Sequence, residues 1–584
     1  MRKQWRFAPH DADRIARLER AAAIPPIVAQ LLLGRGVYEA DAARTFLACK
    51  LTGLRDPDEL PGCAAAADRL YAAVREKKKI VVYGDYDADG MTATALLLGC
   101  LKLLGADASY YVPNRLEEGY GLNHDALRGI AQRGGQTVVS VDCGIASVSE
   151  AETAKELGLE LIVTDHHEMK DSLPDAAAIV HPRLPGSNYP FGGLCGAGVA
   201  LKLAWAICQR ASQSKKVTDA MREFLLSAVG LAAIGTVADV VPLLDENRIL
   251  VRHGLNSLKY SPALGLSALL AVTRLSEKPV LSSEDLAFTL APRLNAAGRF
   301  GQAQLGVELL TTDNAKRAQE LAEYIHELNG SRDSLERSIL LAAGKQIKEE
   351  LHAEDEPALV LAGRGWHAGV IGLVAGKLAE KFHRPVVMIA LDQHGVKPGT
   401  GSARSCNGFN LHSALAACGE HLLGFGGHAA AAGLKIEENR IDTFRQAFCE
   451  FVSCQTEGGL PQAELRIDAE GPFSQLTPQT VKQIETLSPF GCGNPRPVLC
   501  ATGVKLAEPP KRIGNGERHL SLKLSQYRVN MRCVGFGFGD LADELSAVSA
   551  PLDVAYRPVI NEFQGRSRVE VQLVDWRISS SAGG

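Results

Sequence analysis

Asp85, Asp87 and Asp89 stand at alternate positions in Gly84-Asp85-Tyr86-Asp87-Ala88-Asp89-Gly90. An extended backbone would turn all three carboxylates to one side. Three negative charges that close repel one another, and the usual remedy is a hard divalent cation held by oxygen ligands. The same residues could equally form a solvated acidic turn in which Gly90 supplies the bend. Other acids and imidazoles share the placement. Val138-Val139-Ser140-Val141 runs into Asp142-Cys143-Gly144, and Leu161-Ile162-Val163-Thr164 runs into Asp165-His166-His167. An Ala/Leu-rich stretch closes on Asp239. Several carboxylates with one or two imidazoles and no thiolate suit Mn²⁺ or Mg²⁺ rather than structural zinc. A set of four or five anionic donors fits two ions. Two ions about 3.5–4 Å apart can stabilise the attacking and departing oxygens of an in-line phosphoryl displacement. His167 either donates to a phosphate oxygen as charge develops or packs behind His166.

These residues converge only if the elements before them share one edge. From about residue 78, short β-branched runs alternate with helical segments. Strands are expected at 79–84, 107–112, 137–141, 160–164 and 177–181, with helices near 91–104, 123–133 and 147–157. That alternation predicts a parallel sheet with right-handed crossovers, whose site lies beyond the carboxyl ends of its strands. Helices near 196–211 and 219–238 follow, the second bringing Asp239 to the same rim. Residues 303–350 have helical spacing and suit a long helix or helix pair linking two lobes. A second αβ unit runs from Ala358 to about 455. Beyond a Gly-rich spacer at 457–460, strands at 464–469, 497–505, 519–525, 529–537, 552–559 and 567–576 suggest a small barrel or sandwich. Residues 1 to about 75 look mostly helical and carry no evident chemistry. Ser579 to Gly584 look like a frayed tail.

The 584 residues suffice for about three or four domains. Hydrophobic content of 46% and charged content of 22% are those of an ordinary globular protein. No apolar run has the length of about 18 residues that a membrane span needs without a charge or break. The basic N-terminus has no apolar stretch after it, so no secretory leader is expected. Thirteen cysteines without a CxxC fit reduced thiols in a cytoplasm better than a disulfide framework. A net charge of −4 does not announce a nucleic-acid binder, although an acidic metal cluster can mask a local basic groove in the total.

Asp165-His166-His167 after a strand, together with the Asp85–Gly90 loop, resembles the DHH phosphoesterase superfamily, and within it the single-strand-specific 5′→3′ exonucleases. The resemblance spans about residues 75–577. It includes Asp142-Cys143-Gly144, Asp239 within Gly235–Leu243, Pro292-Arg293-Leu294-Asn295-Ala296-Ala297-Gly298-Arg299, and Gly426-Gly427-His428-Ala429-Ala430-Ala431-Ala432-Gly433, the last matching the DHHA1 domain. It implies an α/β fold: a parallel-sheet DHH lobe (76–245) after an N-terminal segment (1–75), a helical connector (246–355), a DHHA1 lobe (356–456) and an OB-like barrel (463–577). It implies Asp85, Asp87, Asp142, His166 and Asp239 as metal ligands, with Asp89, Asp165 and His167 in supporting or phosphate-contacting catalytic roles.

A polyanionic substrate calls for arginines in Gly- and Ser-rich loops. Gly399-Thr400-Gly401-Ser402-Ala403-Arg404-Ser405 could surround a phosphate or be a plain surface turn, and the resemblance favours the former. Arg115, Arg299, Ser402 and Arg404 are the candidates for gripping a 5′ phosphate. His428 either faces the cleft or marks close packing of small residues. The implied function is metal-dependent release of 5′-mononucleotides from single-stranded DNA, in DNA repair and recombination. A single-strand-binding protein and a helicase are the implied partners, and a monomer in the cytoplasm is expected. Two competing readings are a phosphodiesterase of short oligoribonucleotides or cyclic dinucleotides, and a catalytically silent DNA-binding scaffold. The first generally lacks the N-terminal segment and barrel; the second has no reason to keep costly buried charge.

Overall fold

The computed structural model describes residues 3–349, 356–406, 408–456, 463–563 and 566–579. The expected spacer at 457–460 and residues 580–584 of the expected tail lie outside the described residues. The chain forms two compact units: one from Met1–Gly53, Pro242–Arg252 and Gln462–Gly584, the other from Leu54–Val241 and His253–Pro461.

In the larger unit, five parallel strands lie in the order Ala108–Tyr111, Ile80–Tyr83, Thr137–Val141, Glu160–Thr164, Ala178–Val180. Every residue of Ile80–Tyr83 and Thr137–Val141 is buried. That explains their largely apolar, β-branched character, since helices cover both faces of a parallel sheet. The first strand in sequence pairs with the second on one side and the third on the other. Strand order therefore reverses between Ile80–Tyr83 and Thr137–Val141, and the crevice outside such a switch point is where open α/β sheets hold ligands. Helices Ala88–Leu103, Gly196–Ser212 and Asp219–Ala238 pack on one another. The last is long and apolar enough to cross a membrane. Its residues Ala228–Val237 are instead buried in the protein core, and it delivers Asp239 at its C-cap.

A 35-residue helix, Ala315–Glu349, connects this lobe to a second sheet. That sheet is mixed, ordered Gly424–Gly427, Ala431–Ile436, Gly399–Arg404, Val386–Leu391, Leu359–Arg364. Buried Glu336 on the long helix pairs with Arg332 at 2.7 Å and with Lys377 of the second lobe. Burial alone would raise its carboxyl; the Lys377 and Arg332 partners outweigh that and hold it low.

In the smaller unit, strands Leu499–Leu506, Leu552–Phe563, Arg566–Ile578, Val529–Gly535 and His519–Gln526 pair in sequence around a ring, closed by the first on the last. This is an OB-like barrel. The first 53 residues, with helices Ala12–Ala22, Pro26–Leu33 and Ala40–Ala48, belong to this unit. Gln4–Phe7 pairs in parallel with Glu464–Ile467, and Ile15, Leu18, Val28 and Leu32 share a core with Phe473, Ile484 and Tyr556. Arg248 locks this unit. Its guanidinium lies 3.8 Å from the Phe46 ring centre and donates to the carbonyls of Phe46, Leu487 and Ser488.

Replacing Glu336 with Leu is expected to destabilise the larger unit by about 2 kcal/mol. That is below the ~3–5 kcal/mol of a fully buried pair, because the Lys377 side chain stays largely in water. Urea denaturation of Glu336→Leu against wild type measures it.

Candidate metal centre

Asp85 lies two residues beyond the Ile80–Tyr83 strand, after Gly84, and is buried. Asp87 caps the Ala88–Leu103 helix, its Oδ1 accepting the N–H of Gly90 at 3.0 Å. The helix therefore starts at Ala88 rather than near 91, and the backbone does not stay extended through Asp89. The three acids consequently do not share one face. Asp89 lies inside the first turn, where its oxygens accept the N–H groups of Gly196 (2.7 Å) and Ala197 (2.9 Å) at the start of the Gly196–Ser212 helix. A carboxylate at a helix N-terminus is favourably placed against the unpaired amides and the dipole.

Asp142 sits just past its strand with φ 63°, in the left-handed region. The Gly196–Ser212 helix leaves it no spare room: a Cβ on Gly196 would lie 2.5 Å from the Asp142 side chain. Asp165 organises the following loop. Its carboxylate accepts from the backbone N–H of Ile145 (2.9 Å), His166 (2.7 Å) and His167 (3.1 Å), and lies 2.7 Å from His167 Nδ1. His166 Nε2 points at the other acids, 3.1 Å from Asp142 Oδ1, 3.5 Å from Asp239 Oδ2 and 3.9 Å from Asp89 Oδ2.

Among the described residues, three groups of ligand atoms result, each gathered within 4.8 Å: Asp85, Asp87 and Asp142; Asp89, His166 and Asp239; and Asp142, His166 and His167. The shared Asp142 and His166 join them into one centre. Among the described residues, Asp85 Oδ1, Asp142 Oδ1 and His166 Nε2 are buried without a hydrogen bond, although Nε2 and Asp142 Oδ1 lie 3.1 Å apart. Orphaned buried polar atoms are costly, and here they face each other. Burial followed by neighbouring carboxylates pushes Asp85 and Asp142 well above the usual range, Asp239 to about 8 and Asp89 to about 6. Burial also lowers His166 to about 3, so its ring is neutral and carries a lone pair. A cluster too negative for its setting, with one neutral imidazole and hard oxygens, fits divalent cations such as Mn²⁺ or Mg²⁺. Beside it, His167 behaves oppositely. Burial lowers it, but the Asp165 hydrogen bond and the surrounding carboxylates outweigh that and bring it to about 9.

The arginine candidates also converge. Arg115 stacks on Tyr86, 4.8 Å from the ring centre. Arg299 donates to the Gly369 carbonyl at 2.9 Å, and Arg404 donates to Ser402 Oγ at 2.9 Å. Burial lowers Arg299 to about 10 and lowers Arg404, and the charge of Arg115 adds to both shifts. Among the described residues, Arg115, Arg299 and Arg404 form no ion pair with a carboxylate. His428 is exposed, with Nδ1 3.9 Å from Glu168, the residue after His167. It faces the metal lobe; in the glycine run, Gly424 and Gly426 have open space where a Cβ would stand, whereas Gly427 packs against the Ala431–Ala432 backbone.

Tyr120 escaped the sequence reading. Its hydroxyl donates to the Asp142 carbonyl (3.2 Å) and lies 3.0 Å from His167 Nδ1, and its ring meets Tyr86 edge-on. The Gly119-Tyr120-Gly121 turn offers no pattern that announces this.

Comparison with known proteins matches residues 79–230 to the DHH family N-terminal domain, 355–453 to the DHHA1 domain and 467–575 to the RecJ OB domain. The single-stranded-DNA-specific exonuclease RecJ of Bacillus subtilis is 37% identical over 99% of this chain and 71% of that protein. Its counterpart from Salmonella typhimurium is 35% identical over 98% of this chain and 99% of its own. The chain belongs to the RecJ family. Crystal structures of Thermus thermophilus RecJ agree with the fold. The complex with Mn²⁺ has a TM-score of 0.83 at 31% identity, covering 99% of this chain and 80% of that one; the complex with Mg²⁺ has a TM-score of 0.77.

In the metal-free protein at pH 8, Asp85→Asn is expected to raise the melting temperature by relieving unpaired repulsion. Asp89→Asn is expected to lower it by setting an NH₂ against backbone donors. Both effects are read by thermal melting in EDTA.

Proposed function

We propose that this RecJ-family chain is a metal-dependent exonuclease that degrades single-stranded DNA from the 5′ end to 5′-mononucleotides. The observation that carries the reading is the pairing of a cation-seeking acid cluster with three arginines that have no carboxylate ion pair among the described residues, all in one compact unit. Asp85, Asp87, Asp142, His166 and Asp239 would hold the metal. When bound, divalent ions supply charge neutralisation and an acidified water as nucleophile.

The chain's own residues do the rest. Asp165 fixes Nδ1 of His167 and leaves Nε2–H free to donate to a phosphate oxygen as negative charge develops. Asp89 ties the metal loop to the Gly196–Ser212 helix. Guanidinium forks of Arg115, Arg299 and Arg404, with Ser402, suit the dianionic 5′ phosphate, whose recognition sets polarity. His428 contacts the strand from the second lobe. In this reading residues 76–245 carry hydrolysis, 246–355 connect, 356–456 grip the end and the barrel at 463–577 holds single strand. The setting is DNA repair and recombination, by a cytoplasmic monomer working with a single-strand-binding protein and a helicase.

A 5′-phosphorylated, labelled single strand should yield mononucleotides with Mn²⁺ and nothing with EDTA, while a blunt duplex resists. Cleavage confined to dinucleotides would contradict the reading. Arg404→Ala should raise KM on the phosphorylated strand about tenfold, the equivalent of losing one charge-assisted hydrogen bond. Unchanged affinity and rate would remove Arg404 from the grip.

A further inference from the structure

Asn295 lies on the Ala291–Arg299 helix, one turn before Arg299. Its Oδ1 accepts the backbone N–H of Ala88 at 2.8 Å. Ala88 opens the helix that Asp87 caps, so this N–H belongs to the first turn, whose amides have no intrahelical partner. Two side chains from distant parts of the sequence thus share the donors of one helix start: Asp87 takes Gly90 and Asn295 takes Ala88. The Asn295 helix touches the acidic loop a second time. A Cβ on Gly298 would lie 1.9 Å from the Tyr86 carbonyl oxygen, so backbone rests on the residue between Asp85 and Asp87. At its end, Arg299 reaches the Gly369 carbonyl of the second lobe. Asn295 and Arg299 line the same cavity of about 450 Å³, together with Arg293 and Arg332.

We propose that Asn295 is a positioning residue: through Ala88 it holds Asp87 in its ligating pose and fixes the acidic loop relative to the Arg299 end of its own helix. An amide suits this place because it supplies an acceptor without adding another negative charge beside Asp85, Asp87 and Asp142. The consequence is a fixed register between phosphate grip and hydrolytic centre, an inference that rests on the exonuclease reading above.

The test compares Asn295→Leu, which keeps bulk but loses the acceptor, with Arg299→Ala. Calorimetric titration of Mn²⁺ without DNA should show Asn295→Leu binding about tenfold more weakly, as removal of an outer-shell partner typically does. On a 5′-phosphorylated single strand its kcat should fall about tenfold with KM within about twofold, while Arg299→Ala should raise KM and leave Mn²⁺ affinity unchanged. Thermal melting accompanies both, and Asn295→Ala replaces Asn295→Leu if the latter fails to fold. Wild-type Mn²⁺ affinity and kcat in the Asn295 variant, or a rise in KM without weaker Mn²⁺ binding, would overturn the proposal. Wild-type inactivity on single strands would overturn the functional reading instead, and the titration without DNA still decides the role of Asn295.

Discussion

Unrelieved repulsion among buried carboxylates is the constraint on which the larger unit depends. Asp85, Asp89, Asp142 and Asp165 are each at most 2% exposed. Two of them are answered by the protein. Asp89 receives two amides of a helix start, and Asp165 receives three backbone N–H groups and an imidazole. Asp85 and Asp142 each keep a buried oxygen without a hydrogen bond among the described residues. A fold tolerates such groups where function requires them, at a cost in stability carried by the surrounding packing.

That packing is close. Small residues let backbone approach where a side chain would collide: Gly196 against Asp142, Gly235 against Asp89 and Gly298 against the Tyr86 carbonyl. Each glycine belongs to a different helix, so three helices converge on the carboxyl ends of the strands and determine where the acids point. The divergent histidines follow from the same geometry. His166 faces acids with its Nε2 unpaired and is held neutral by burial, whereas His167 is tied to Asp165 and stays protonated. One dipeptide therefore offers a metal-ligating lone pair and a proton donor side by side.

Much of this was legible in the sequence, because parallel strands are short, buried and apolar, and the residues after them carry the chemistry. The acids and histidines after Tyr83, Val141 and Thr164 could be placed on one rim before any coordinates. Local patterns failed where long-range contacts decide. Alternation suggested one face for Asp85, Asp87 and Asp89, but the Asp87 cap starts the helix early and turns Asp89 toward Gly196. Tyr120 gave no signal and Asn295 stood in a quoted motif without a role, since their partners lie 22 and 207 residues away. The first 53 residues join the barrel through a four-residue strand pairing with residues 464–467, too short for a periodic signature.

The orphaned oxygens and His166 Nε2 are placed to bind cations. Anomalous diffraction from a crystal soaked in Mn²⁺ tests this most directly. The account predicts strong anomalous density among Asp85, Asp87, Asp142, His166 and Asp239. No density there after soaking, or density confined to other residues, would contradict it.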